Sequence, residues 1–202
     1  MNRGIKIRTL YELISKSSRT TKLINGITLY RIAAAPILLI LVFNGNLILF
    51  KWLLLISFFT DILDGYLARL YKVKSVLGAK LDSVGDDLTV IVAMAGLFKY
   101  RLGFLKEQWI VLIVVFILFL FQFIAALIRY KKATSFHTYA AKLATLFQGL
   151  FFISAFFFDE PHLVLFYSAA VITALELIEE IILVFILPVW RNDVRGLYWI
   201  LK

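Results

Sequence analysis

The chain has 202 residues, 62% hydrophobic, 16% aromatic and only 17% charged, a composition far more apolar than that of a soluble domain. No cysteine and only two histidines exclude a disulfide framework, a thiolate nucleophile and a zinc centre rich in Cys or His, so any metal must rest on oxygen ligands. A net charge of +9 in so apolar a chain points to a basic face against anionic lipid, not to nucleic acid.

In chain order, residues 1–24 are polar and basic (Arg3, Lys6, Arg8, Lys16, Arg19, Lys22), with Ile5, Ile7, Leu10, Leu13 and Ile14 at roughly helical spacing. This pattern predicts an amphipathic helix lying in the membrane interface. No cleaved signal peptide is read here, because the first apolar run begins late and leads straight into further spans. Six apolar segments follow, at about 27–43, 47–68, 83–100, 108–128, 139–158 and 162–189. The predicted fold is therefore all-α and integral to the membrane: six transmembrane helices forming one domain over 25–202, after the interfacial helix. With the N-terminus inside, seventeen Lys and Arg fall on the cytoplasmic side and four (Lys51, Lys99, Arg101, Lys106) on the other. That bias places both termini in the cytoplasm, on a cytoplasmic-type (inner) membrane.

The second span runs into Asp61, Asp64, Gly65, Ala68 and Arg69, and the third opens near Asp82, Asp86 and Asp87. Asp61, Asp64, Gly65 and Ala68 share one helical face, and so do Gly78, Asp82 and Asp86 if the third helix starts early enough. Singly, each acid reads as a solvated helix end and each glycine as a close-packing residue. Together, the acids crowd like charge near a membrane, which is unfavourable unless a cation neutralises it. A hard divalent ion on oxygen, magnesium in particular, fits that demand. Gly65, Ala68 and Gly78 leave room on the same face for a flat base or a diphosphate.

The stretch DILDGYLARLYKVKSVLGAKLDSVGD, residues 61–86, resembles the full signature of CDP-alcohol phosphotransferases: D, two spacers, DG, two spacers, AR, eight spacers, G, three spacers, D, three spacers, D. NGITLYR, residues 25–31, is similar to the N, two spacers, T, two spacers, R opening of bacterial phosphatidylglycerophosphate synthases within that family. The resemblance implies that Asp61, Asp64 and Asp82 hold Mg2+ or Mn2+, with Asp86 completing a two-ion arrangement. It implies that Gly65, Ala68, Arg69, Gly78, Asn25 and Thr28 receive the CDP moiety and that Arg31 serves the acceptor. It also implies a homodimer, with CDP-diacylglycerol and a small alcohol as substrates. The attacking alcohol must lose a proton, and Asp86 is the candidate catalytic base, with pure metal ligation as its other reading. Asp87, about 100° round the helix from Asp86, is read as a surface or supporting charge.

For the acceptor, KLATLFQ at 142–148 resembles a K, spacer, K, T, two spacers, Q segment of phosphatidylglycerophosphate synthases, with Ala144 in place of the second lysine. Lys142 and Arg129, at cytoplasmic span ends, are the cations read as clamping an acceptor phosphate, positive-inside anchoring being their alternative. The expected acceptor is thus phosphorylated, glycerol 3-phosphate or inositol phosphate, with serine, choline or another unphosphorylated alcohol as the alternative. Glu176, Glu179 and Glu180 inside the sixth span are expected to pair with basic residues of neighbouring helices or to line a wet cavity. The phenylalanine-rich run 147–158 is expected to face lipid. A cation transporter is the rival from another class, but its carboxylates belong near the midplane between repeated halves, and neither feature is visible here.

Overall fold

The computed structural model describes residues 26–71, 76–131, 136, 138–189 and 194–202, with side chains for all of these except 68, 69, 76–80, 82 and 83. The reading of 1–24 as an interfacial helix, and the site assignment of Asn25, lie outside the described residues. In chain order the helices are α1 (Gly26–Phe43), α2 (Leu47–Leu70), α3 (Val76–Tyr100), α4 (Leu102–Glu107), α5 (Trp109–Tyr130), α6 (Tyr139–Phe157), α7 (Leu163–Ile186) and α8 (Leu197–Leu201). No strand occurs among the described residues.

Among the described residues three helices, α1, α5 and α6, are long and apolar enough to cross a membrane by length and composition. α5 shows why lipid suits it: Phe116, Ile117, Phe121, Ile124 and Ile128 are exposed, while Gln122 and Ala126 are buried. Such an inside-out helix would present a large apolar patch to water. The chain is an all-α membrane protein. The other long helices, α2, α3 and α7, carry the carboxylates singled out in the sequence.

The chain divides into two compact units, Met1–Tyr100 and Arg101–Lys202. In the first, α1 stops at Asn44-Gly45-Asn46. Gly45 takes φ +72°, a left-handed conformation that glycine adopts without the Cβ clash, and the N–H groups of Gly45 and Asn46 close on the carbonyls of Val42 and Leu41. Asn46 Oδ1 then accepts the N–H of Leu49 at 3.1 Å and caps the start of α2. Leu38, Val42, Phe50, Leu54, Val92 and Leu97 are buried, and near this apolar end the Tyr100 hydroxyl donates to the Leu41 carbonyl at 3.2 Å. α3 begins at Val76, seven residues before the apolar segment that announced it, so Gly78, Asp82 and Asp86 do lie on one helix at one-turn spacing.

In the second unit α7 packs against both α5 and α6. Two arginines close helix ends. Arg101 donates Nε, Nη1 and Nη2 to the carbonyls of Ala155, Asp159 and Phe158 at 2.7, 2.6 and 2.5 Å, covering the C-terminal end of α6. Arg129 donates Nε and Nη2 to the Leu187 carbonyl, where the Tyr130 hydroxyl also donates at 2.8 Å. Terminal carbonyls have no partner within the helix, and a cation there also suits the helix dipole.

One expectation is corrected in this unit. Phe151, Phe152 and Phe156 are buried, and the Phe104 and Phe166 rings pack at a tilt against Phe151, so this part of the phenylalanine run is core and not lipid-facing. Two of the three glutamates have neutral donors: Glu180 accepts from Gln122 Nε2 at 2.7 Å and from the Phe136 N–H at 3.1 Å, and Glu179 accepts from the Leu197 N–H at 2.8 Å. These contacts tie the segments before α6 and before α8 to α7.

Arg101→Ala removes three charge-assisted hydrogen bonds from the end of α6 and is expected to cost about 1.5–3 kcal/mol in detergent unfolding. Lys106→Ala, at an exposed position of α4, should leave the transition where it is.

Candidate active site

Helix spacing sets the polar end of the first unit. On α1, Thr28 and Arg31 are three residues apart and continue a buried stripe through Ala35, Leu38 and Val42. On α2, Phe50, Leu54 and Ser57 lead to Asp61 and Asp64 at intervals of three and four. On α3, Gly85 and Asp86 stand one turn before Thr89. The same faces that build the apolar core therefore bring these polar residues together.

Their centre is Arg31, whose side chain is 1% exposed. Nη1 donates to Asp61 Oδ1 at 2.6 Å and to Asp86 Oδ1 at 2.5 Å, and Nη2 donates to Asp64 Oδ2 at 3.2 Å. Thr28 Oγ1 donates to the same Asp64 oxygen at 3.1 Å. Asp64 is buried at 2%, but Asp61 and Asp86 are 30% and 43% exposed, so the group opens on their side. Among the described side chains, three carboxylates face one guanidinium at this point.

Gly85 makes room for the guanidinium. A Cβ there would stand 3.4 Å from Arg31 Cζ and 3.6 Å from Nε and Nη2. The hydroxyls nearby are spent on their own helices: Ser57 on Leu53 O, Thr60 on Ser57 O, and Thr89 on Gly85 O at 2.7 Å. Such back-bonding keeps a hydroxyl satisfied in an apolar bundle without adding a ligand to the site. Among the described residues no three His, Asp or Glu form a ready-made metal cage. The carboxylates are gathered round Arg31 instead.

The sequence-predicted residues are thus placed as follows. Asp61, Asp64, Asp86, Thr28 and Arg31 come together. Gly65 follows Asp64 on α2, and Ala68, Arg69, Gly78 and Asp82 lie on α2 or α3 with side chains outside the description. Asp87 is exposed. Arg129 and Lys142 belong to the second unit, Arg129 on the Leu187 carbonyl and Lys142 Nζ 5.1 Å from the Tyr139 ring centroid. The sequence reading did not foresee that Arg31 bonds the aspartates, nor that Gly85 matters. A signal for Arg31 was present, since it is a lone charge inside the first apolar segment and such charges seek partners.

A helical membrane protein whose two consecutive helices carry the complete acidic signature, closed by an arginine from a third, defines the class. The chain belongs to the CDP-alcohol phosphatidyltransferase family, whose model matches residues 22–187. It is 33% identical over 124 residues to a CDP-diacylglycerol–glycerol-3-phosphate 3-phosphatidyltransferase of Cereibacter sphaeroides, covering 59% of this chain and 55% of that protein. It is 34% identical over 74 residues to a phosphatidylcholine synthase of Legionella pneumophila, covering 35% of this chain and 29% of that protein. The chain spans about half or less of the length of these relatives. No solved structure matches it.

Gly85→Leu should push the guanidinium off the α3 surface and destabilise the unit by about 1–3 kcal/mol, as overpacking does. Gly85→Ala should be tolerated, because its Cβ would meet Arg31 at ordinary contact distance. Melting temperatures in detergent check both, and a leucine variant as stable as the parent would contradict the described contact.

Proposed function

We propose that the protein transfers a phosphatidyl group from CDP-diacylglycerol to an alcohol and releases CMP. The observation that carries this reading is the convergence of Asp61, Asp64 and Asp86, all signature residues, on one point of the first unit.

Their oxygens suit a divalent cation. Asp61 Oδ1 and Asp86 Oδ1 lie 2.6 and 2.5 Å from the same nitrogen, hence no more than about 5.1 Å from each other. Asp61, Asp64 and Asp86, with Asp82, would hold the ion or pair of ions, magnesium or manganese. When bound, that cation supplies charge neutralisation of the diphosphate and Lewis-acid polarisation of the reacting phosphorus.

The rest of the chemistry belongs to this chain's residues. Asp86, partly exposed, takes the proton of the acceptor hydroxyl. The acceptor oxygen forms its bond to the phosphorus that carries diacylglycerol, and the bond from that phosphorus to the bridging oxygen breaks, so both bonding electrons leave with CMP. Gly65, Ala68, Arg69 and Gly78 receive the CDP moiety, with Asn25 and Thr28 beside them.

The acceptor proposed is phosphorylated, glycerol 3-phosphate or inositol phosphate, and the Cereibacter sphaeroides relative supports glycerol 3-phosphate. Arg129 and Lys142 are proposed as its phosphate ligands on charge and on the resemblance of 142–148. The Legionella pneumophila relative favours a second reading, an unphosphorylated alcohol such as choline. Six spans, both termini and the acidic site on the cytoplasmic side, and a homodimer complete the proposal. The positive-inside count and the family resemblance support these last points.

Purified protein should release CMP from CDP-diacylglycerol with magnesium and a phosphorylated acceptor. Asp61→Asn and Asp64→Asn, nearly isosteric but uncharged, should abolish release while the protein still inserts in the membrane. Absence of CMP with every acceptor tried, from glycerol 3-phosphate to choline, would overturn the reading. Arg129→Ala and Lys142→Ala should each raise the acceptor KM by the equivalent of about 1.5–3 kcal/mol. Unchanged KM in both, together with preference for an unphosphorylated alcohol, would overturn the acceptor assignment alone.

A further inference from the structure

Resting on the divalent-cation reading, we infer that Arg31 is a resident counter-cation that holds the carboxylates together before the metal arrives and competes with it for their oxygens. This goes beyond the acceptor role that the sequence pattern implies for this arginine.

The geometry sets Arg31 in the way of an ion at two of these oxygens. One nitrogen, Nη1, contacts Asp61 Oδ1 at 2.6 Å and Asp86 Oδ1 at 2.5 Å, so it stands where an ion bridging those two oxygens would sit. A divalent cation and a guanidinium nitrogen cannot share that point, both by size and by like charge. The guanidinium has somewhere to remain, because Nη2 also contacts Asp64 Oδ2 on the buried side and Gly85 leaves the adjoining surface without a side chain. A metal at Asp61 and Asp86 therefore shifts Arg31 towards Asp64 without expelling it from the bundle.

The group's charge makes the competition useful. With three carboxylates and no arginine, the site would bind a divalent ion strongly and, without the ion, would repel itself apart in a low-dielectric setting. With Arg31 present the carboxylates stay gathered, and the ion is held weakly until further oxygens are supplied. Substrate phosphates are the usual source of such ligands for magnesium. Arg31 is thus a positioning residue that makes cation capture depend on the diphosphate, and the nucleotide diphosphate CDP is a sufficient probe of that dependence.

The test measures Mn2+ binding to the full chain in detergent, alone and with CDP, for the parent and for Arg31→Gln, with melting temperature in chelator recorded in parallel. The parent is expected to bind Mn2+ weakly alone and more tightly with CDP. Arg31→Gln is expected to melt lower in chelator, to recover with Mn2+, and to bind Mn2+ alone about tenfold more tightly than the parent. An arginine that only held the fold would give a lower melting temperature without tighter binding. Arg31→Lys, which keeps a cation but not the two-armed contact, covers the case in which the glutamine variant does not fold. It too should bind Mn2+ more tightly than the parent, though by less. Equal or weaker Mn2+ binding in a folded variant overturns the inference and leaves the enzyme reading standing. A parent that binds no Mn2+ with or without CDP overturns the cation reading and this inference together.

Discussion

The ion-pair group around Arg31 is the interaction on which the first unit depends. A guanidinium and a carboxylate removed from water each carry a desolvation penalty of several kcal/mol, and removing one partner of such a pair typically costs about 3–5 kcal/mol. Arg31 and Asp64 are both almost wholly buried, so removing either takes a charged partner from the other in an apolar setting. Because the partners come from three helices, satisfying them fixes the relative height of α1, α2 and α3. The apolar stripe alone would allow these helices to slide, since leucine and alanine contacts carry little register. Charge pairing thus positions the site, and the site's own chemistry supplies the positioning.

The same rule, that no polar group in an apolar bundle goes unmatched, shapes the second unit by other means. Arg101 and Arg129 satisfy terminal helix carbonyls, and Glu180 takes a backbone N–H and the Gln122 amide. Gln148 donates to Thr173 at 2.8 Å, so polar contacts join α6 to α7 as well as α5 to α7. Gly196 is shaped by this network: its φ is +146°, and a Cβ would come within 3.0 Å of Glu179 Oε1. A substitution there would strain the backbone and crowd the carboxylate that holds the Leu197 N–H. Acids on these helices therefore have two uses in this chain. In the first unit they gather round a cation, and in the second they clasp backbone.

Much of this was legible in the sequence, for reasons that can be named. The segments at 27–43, 47–68 and 139–158 lie within two residues of α1, α2 and α6, because each ends at a polar or glycine-bearing break. The start of α3 was missed by seven residues, because Lys80 and Asp82 end a hydropathy signal without ending a helix. The acidic signature was readable because its spacing is a property of one helix at a time. The role of Arg31 was not, because it depends on how a third helix packs against the other two. Phe151 and Phe156 were misread for a related reason: composition cannot tell a phenylalanine facing lipid from one facing a neighbouring helix when both surroundings are apolar. Glu179 and Glu180 each accept a backbone N–H distant in sequence, which no side-chain pattern announces.

The central claim is that the carboxylates gathered at Arg31 form a divalent-cation site. Crystals of the protein grown with Mn2+ and CDP, examined by anomalous scattering, test it most directly. The account predicts an anomalous peak bonded to oxygens of Asp61, Asp64 and Asp86, with the Arg31 guanidinium drawn away from Asp61 and Asp86 towards Asp64. A manganese ion bound elsewhere, with Arg31 still bridging Asp61 and Asp86, would contradict it.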